Sequence, residues 1–559
     1  MAFAQSKLSE HTPHIIGITL TLISFVLTPR IGSICFDNPT QYIFYYAKTL
    51  PLIYYIALAY NATVAVLGKR RGLKLLLVLN TALLVELTPS LMLANPWLPD
   101  QYPYLAEAAW LTKYGHITDI HYLNEVPGLG LMFSQLMLIT NLGPFNISKL
   151  YPCLTSLALV LPLYILCEKL SGNGALAPLL FLSINWTQVN TFHRATYFFI
   201  LFSILILTII KMVTTQTPSV YIIVNTLLFS AMVLTYPGTV IILTMLLATI
   251  ATLRVIEQLN KEQNRTRRYG LFKLFLIFSI IFLSWNLWTA RGEFSRLIGN
   301  TYGALNELIS LSTPMNIEPR HSFSQGLTSL FRIIIYIRVI KLGFVVILGI
   351  FGSLYSLKLK KTTPIFVAAF YTGIVLSIII FAPTTWNQWY LSKFNHHIAL
   401  LASLCTGILI ADNKHKNFLK YLILIFISIN LLTVPVLRYA SIPYLHVTTQ
   451  ELKAIEFVHI YYEESAPIYY EEYPPYILPR LLLDKDISWD IQGSGAGFIP
   501  LEPEVNFLTS QRLITRDGYY IHPIGGYKKY LDSRIKLLTE THNLVYASGT
   551  YTKLFVVIT

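Results

Sequence analysis

The residues best suited to chemistry lie in polar segments between long apolar runs. One group is His116, Asp119, His121 and Glu125, with Asp100 upstream of it. A carboxylate can accept a proton from a reacting hydroxyl, and imidazole with carboxylate suits several divalent ions. The spacing of His116, His121 and Glu125 matches no specific zinc or manganese pattern, which leaves them weak metal candidates. Asp100 also reads as a solvated loop residue or as the N-cap of the helix after it. The cationic candidates are Arg194, then Arg338 and Lys341 with Arg332 before them, then Lys393 with His396 and His397. Arg holds phosphate through charge-assisted hydrogen bonds, and Arg338 and Lys341, three apart, share a helix face. Attraction to anionic headgroups and snorkelling explain the same cations without a ligand.

The elements that position these residues follow from composition. Of 559 residues, 54% are apolar and 13% charged, against about 25% charged in an ordinary soluble protein. The apolar runs are about 17 to 25 residues long without period-two alternation, the pattern of membrane helices and not of barrel strands. The net charge of +14 is spread over short loops, so it does not indicate nucleic acid. Four basic clusters (Lys69–Lys74, Arg254–Lys273, Lys358–Lys361 and Lys414–Lys420) belong on the cytoplasmic side by the positive-inside rule.

The sequence predicts about thirteen spans consistent with that rule. The first six are Ile15–Ile34, Tyr42–Leu67, Leu73–Leu93, Leu150–Cys167, Gly174–Gln188 and Thr196–Met212. The remainder are Val220–Thr235, Gly238–Leu253, Gly270–Trp288, Leu342–Leu357, Pro364–Ala382, Ile398–Ala411 and Phe418–Leu437. The first run lacks a small-residue cleavage site and reads as a retained span. The N-terminus is expected in the cytoplasm and the C-terminus outside. This requires Pro127–Leu142 to lie along the outer surface as an interfacial helix, because a crossing there would put the Arg254–Lys273 cluster outside. Gly326–Lys341 reads as a second interfacial helix, amphipathic and basic. Cys35, Cys153, Cys167 and Cys405 have no metal-ligand spacing and imply no disulfide framework.

Residues 1–437 are thus expected to form an all-α polytopic membrane domain with outer loops at 94–149 and 289–341. Residues 438–559 are expected to form a small extracytoplasmic α/β domain. In the tail, Thr448–Tyr461 reads as a helix, Ala466–Tyr470 and Leu554–Ile558 as strands, and Tyr546–Leu554 as a hairpin turning at Ser548 and Gly549. Asn146-Ile147-Ser148 is a glycosylation sequon by pattern. Trp386, Trp389 and Tyr390 fit an interfacial aromatic belt or a sugar-stacking surface.

The first outer loop carries a family resemblance. After a span come Asp100, an amphipathic helix from Tyr104 to Tyr114 that includes Ala108, then Gly115, then Tyr122 and a Pro127-Gly128 step opening the next helix. This pattern resembles the GT-C superfamily of membrane glycosyltransferases, and the Val545-Tyr546-Ala547-Ser548-Gly549 hairpin is similar to that of archaeal multi-span proteins of this kind. The resemblance implies transfer of a sugar from a polyprenyl (dolichyl) phosphate donor to a protein or lipid acceptor on the outer face, with inversion. Asp100 would be the catalytic base and Asp119 a second acid. Arg338, Lys341, Lys393 and His397 would hold the donor phosphate, with Arg194 facing the same cavity. Lys393 stands where the family often has Arg, keeping the charge without the bidentate fork. Some family members use a divalent metal, manganese or magnesium. The alternatives are a non-catalytic scaffold presenting the tail to surface partners, or a transporter or flippase, for which Glu86 is the candidate intramembrane charge.

Overall fold

The computed structural model describes residues 2–439 with breaks, the longest at 32–38, 97–100, 118–124, 185–193 and 307–328, and in the tail 453, 468–470, 506–509, 543–548 and 552–556. Among these residues the first eight helices are α1 (Ala2–Leu27), α2 (Pro39–Thr49), α3 (Leu52–Leu67), α4 (Arg71–Met92), α5 (Gln101–Tyr114), α6 (Gly128–Thr140), α7 (Pro144–Ser171) and α8 (Leu176–Ile184). Eight more follow: α9 (Arg194–Thr214), α10 (Pro218–Thr235), α11 (Val240–Asn260), α12 (Arg265–Trp288), α13 (Ser329–Leu359), α14 (Thr362–Phe381), α15 (Asn387–Ala411) and α16 (Lys416–Leu437). Among the described residues, seven helices (α4, α7, α9, α12, α13, α14 and α16) are long and apolar enough to cross a membrane. The chain is a multi-pass helical membrane protein.

Apolar surround explains how these helices treat their hydroxyls. Thr21, Thr81 and Thr88 each donate to the carbonyl four residues back, which satisfies the hydroxyl inside its own helix where no water is at hand. Close helix contact is made through small residues. A Cβ on Gly352 of α13 would overlap the Cys405 carbonyl of α15, so these two helices pack backbone against backbone.

Three sequence expectations need correcting. The run Tyr42–Leu67 is broken into α2 and α3, because Pro51 has no N–H for a continuous ladder and sits extended (φ −66, ψ 147) ahead of α3. Gly326–Lys341 is not a separate interfacial helix where it is described: from Ser329 it runs into the next span as one proline-free helix of 31 residues. At roughly 46 Å this helix exceeds the apolar layer, so its basic first turns extend beyond it. Within the expected span Gly174–Gln188, Leu176–Ile184 is helix, and 185–188 lie outside the described residues. The helix after Asp100, read as amphipathic, is buried all round from Gln101 to Ala108. The Thr448–Tyr461 segment lies almost wholly outside the described residues.

Polar contacts sort the helix ends into two groups. At one end Arg70 Nη1 lies 2.6 Å from His11 Nε2, and Lys74 donates to Asn173 Oδ1 at 3.4 Å. Arg71 pairs there with Glu168, and Lys169 donates to Thr214. This is the basic end. At the other end the Ile31 amide donates to the Met92 carbonyl, and Arg338 Nε donates to the Leu437 carbonyl. A Cβ on Gly128 would press on Thr235 there. Both ends of α6 belong to this second group, since α7 starts beside it at Pro144 and finishes at the basic end.

In the tail, β1 (Ile468–Tyr470), β2 (Asn506–Thr509), β3 (Asn543–Ser548) and β4 (Thr552–Val556) form one sheet of order β1-β2-β4-β3. The β1–β2 pair is parallel, and β2–β4 and β3–β4 are antiparallel. The β3–β4 pair runs up to Ser548 opposite Thr552, with an irregularity between Leu544 and Tyr546.

Candidate functional site

Helix α5 is the element that builds the site. It docks on the start of α7, where the Ser148 hydroxyl donates to Gln101 Oε1 at 3.2 Å and the Tyr102 and Phe145 rings meet edge-on at 5.9 Å. The sequon hydroxyl is therefore buried in packing. On its other side α5 lies against α6, and Gly130 makes that approach possible. A Cβ at Gly130 would stand 2.6 Å from Glu107 Cδ and 2.7 Å from its Oε2.

Glu107 is the central group. Its residue is 0% exposed, and neither carboxylate oxygen has a hydrogen-bond partner. Burial pushes its carboxyl well above the usual carboxylate range, and the Arg194 charge at the start of α9 opposes that shift. Arg194 lies 5.7 Å from the centre of the Tyr236 ring, within cation–π reach. Tyr236 in turn sits 5.3 Å from Phe198, which lies 5.9 Å from His397. Phe202 closes edge-on over His397 at 4.4 Å. Ring contacts thus join Arg194 on α9, through Tyr236 just after α10, to His397 on α15, and Glu107 on α5 feels the Arg194 charge.

The expected cations do not form one set. Arg194 and His397 meet through the Tyr236–Phe198 rings. Arg338 and Lys341 instead join a second cluster at the end of α16, with Arg338 on the Leu437 carbonyl and buried Lys341 near Arg338 and Arg438. There Arg438 forms a two-pronged pair with Glu86, Nη1 to Oε1 at 2.7 Å and Nη2 to Oε2 at 2.8 Å, both side chains 1% exposed. Tyr439 donates to the Val85 carbonyl beside it at 2.7 Å. Arg438, at the expected domain boundary, is therefore buried in the helical body. Lys393 lies on α15, but its side chain, like Asp100, Asp119 and His121, is outside the described residues.

Of the metal candidates, His116 and Glu125 are described, and each is engaged elsewhere. Glu125 accepts from the Gly292 amide at 3.0 Å, while its carbonyl takes the Trp285 indole N–H at 3.1 Å. His116 is exposed, 5.6 Å from the Trp110 ring. Among the described residues no three His, Cys, Asp or Glu side chains are grouped to hold a metal.

Glu107 was not singled out from the sequence. The available signal was a lone acid inside the apolar and aromatic run Tyr102–Leu111. The Glu86–Arg438 pair was missed because its partners are far apart in the chain.

No protein-family model and no curated protein sequence matches the chain. Solved structures with a similar course include the Archaeoglobus fulgidus oligosaccharyltransferase tethered with an acceptor peptide, at 13% identity and TM-score 0.47, over 73% of this chain and 63% of that one. AglB from the same organism, in complex with an inhibitory peptide and a dolichol-phosphate, gives 13% identity and TM-score 0.45 over 71% and 62%. ArnT from Cupriavidus metallidurans bound to undecaprenyl phosphate gives 11% identity and TM-score 0.47 over 86% and 97%. The chain spans less than two thirds of the length of the two archaeal proteins.

Proposed function

We propose that this chain is an inverting membrane glycosyltransferase of the GT-C kind, taking its sugar from a polyprenyl-phosphate donor at the end of the bundle opposite the basic loops. The observation that carries the reading is the buried Glu107 carboxylate with Arg194, placed by the helix that begins directly after Asp100. The Asp100-to-Gly128 loop pattern supports it.

In the proposed reaction an acceptor hydroxyl oxygen bonds to the anomeric carbon while the bond from that carbon to the donor phosphate oxygen breaks. The hydroxyl proton passes to Asp100, and the polyprenyl phosphate leaves with one more negative charge. Arg194 and His397 would offset that charge, with Lys393 as a further candidate from the sequence, and Arg338 and Lys341 form a second cationic group on the lipid-facing helix α13. Asp119 would bind the sugar or serve as a second acid. The acceptor is a protein or lipid, and the basic loops face the cytoplasm, which puts the tail outside the cell.

Asp100→Asn should lower transfer from labelled dolichyl-phosphate sugars by about 10²–10⁴-fold, the usual contribution of a positioned general base. Full transfer by that variant would remove Asp100 from the mechanism. The transporter reading loses its main support because Glu86 is paired with Arg438 about 9 Å from the end of α4 and does not stand alone at midplane.

A further inference from the structure

Glu107 is not alone on its helix in lacking partners. Trp110, three residues on and so on the same face of α5, also carries a buried indole N–H without a hydrogen-bond partner. Together they present a carboxyl group and one indole donor, all withdrawn from water and none used within the described residues. Such groups cost free energy unless something pairs with them. A phosphate would supply only acceptors, which suits the indole but leaves the acceptor oxygen of the carboxyl without a donor. Another carboxylate would do the same. A sugar ring offers hydroxyls that donate and accept, together with an apolar face that packs on aromatic rings. Trp110 supplies such a surface, with Tyr114 at 4.3 Å, and Tyr236 lies 5.7 Å from Arg194.

We propose that Glu107 and Trp110 form the subsite for the sugar ring of the lipid-linked donor, with Arg194 taking the phosphate directly bonded to that ring. The assignment rests on the transferase reading above. The arrangement suits a sugar phosphate: the anion would meet the guanidinium, and the hydroxyls would meet the acid that feels its charge. Gly130 belongs to the arrangement because any side chain there would displace the carboxylate.

The test uses the full chain in lipid nanodiscs and compares binding of dolichyl phosphate with that of dolichyl-phosphate-mannose and dolichyl-phosphate-glucose. The wild type should hold at least one sugar-loaded lipid more tightly than the bare phosphate. In Glu107→Gln and Trp110→Phe that margin should shrink by about tenfold, as expected for one lost hydrogen bond to a charged or buried group, with dolichyl phosphate binding unchanged. Trp110→Phe keeps the ring and removes only the N–H, so it supplies the readout even where Glu107→Gln disturbs α5. An unchanged margin in both variants, or equal weakening of all three lipids, overturns the subsite and leaves the transferase reading intact. A wild type that binds none of the three lipids overturns both.

Discussion

Two carboxylate–guanidinium arrangements lie at the same end of this bundle, and they are finished differently. Glu86 and Arg438 meet fork to fork, fully buried, with every carboxylate oxygen used. Glu107 is buried as deeply, yet its oxygens have no partner, and Arg194 acts on it as a nearby charge. The first arrangement fastens the end of α16 to α4 and leaves only Arg438 Nε without a partner. The second holds polar atoms in an apolar setting at a cost of about 1–3 kcal/mol each, tolerated only where the surrounding packing over-determines it. A closed pair is architecture, and an open one is a place for a ligand.

The comparison is broken most sharply at the closed pair. Arg438→Met alone should destabilise the protein by about 3–5 kcal/mol, because Glu86 is left buried and uncompensated, while Glu86→Leu with Arg438→Met should recover most of that loss. Thermal unfolding in detergent of the two single variants and the double checks it. A single variant that melts like the wild type would show that the pair does not hold α16.

Gly130→Ala comes next. The added Cβ meets the Glu107 carboxylate within 2.7 Å, and overpacking of this sort costs about 1–3 kcal/mol. Lower melting together with loss of donor binding is expected, and Gly143→Ala, in open space, serves as the silent control.

Glu107→Gln should act in the opposite sense, and with a pH signature. Burial raises the folded-state value of Glu107, so its contribution is present below the ordinary Glu range near pH ~4 and is lost as pH rises through the raised value. The wild type should therefore lose stability from acid toward neutral and alkaline pH. The Gln variant cannot ionise and should lose less. Melting temperatures at pH 4.5 and pH 8 decide it, and parallel curves would mean that Glu107 is not held in its acid form.

The smallest effect is expected at the basic end. Arg71 pairs with Glu168, but its side chain is 77% exposed, so Arg71→Ala should cost less than about 1 kcal/mol, and that little should fade in high salt.

Much of the scaffold is legible in the chain. Helices α4, α9, α10, α12, α14 and α16 fall within a few residues of the expected spans, because an apolar run in lipid has one way to satisfy its backbone. The antiparallel β3–β4 pair follows from local turn chemistry. Pro51 was readable too, and breaks the second run for the reason proline usually does. The burial of α5 was not readable. An alternation of alanine, aromatic and polar residues looks the same whether one face meets water or other helices cover every face.

The site is divided along the same line. Arg194 and His397 could be named from their types and their positions at helix ends. Their meeting through Tyr236 and Phe198, the parting of Arg338 and Lys341 from them, and the choice of Arg438 as the partner of Glu86 could not. Hydropathy and charge act locally along a chain, and they settle which segments enter the membrane and where they stop. Which buried acid finds a cation depends on residues hundreds of positions apart arriving at one helix end. Only the packing of the helices brings Arg438 onto Glu86 and leaves Glu107 open.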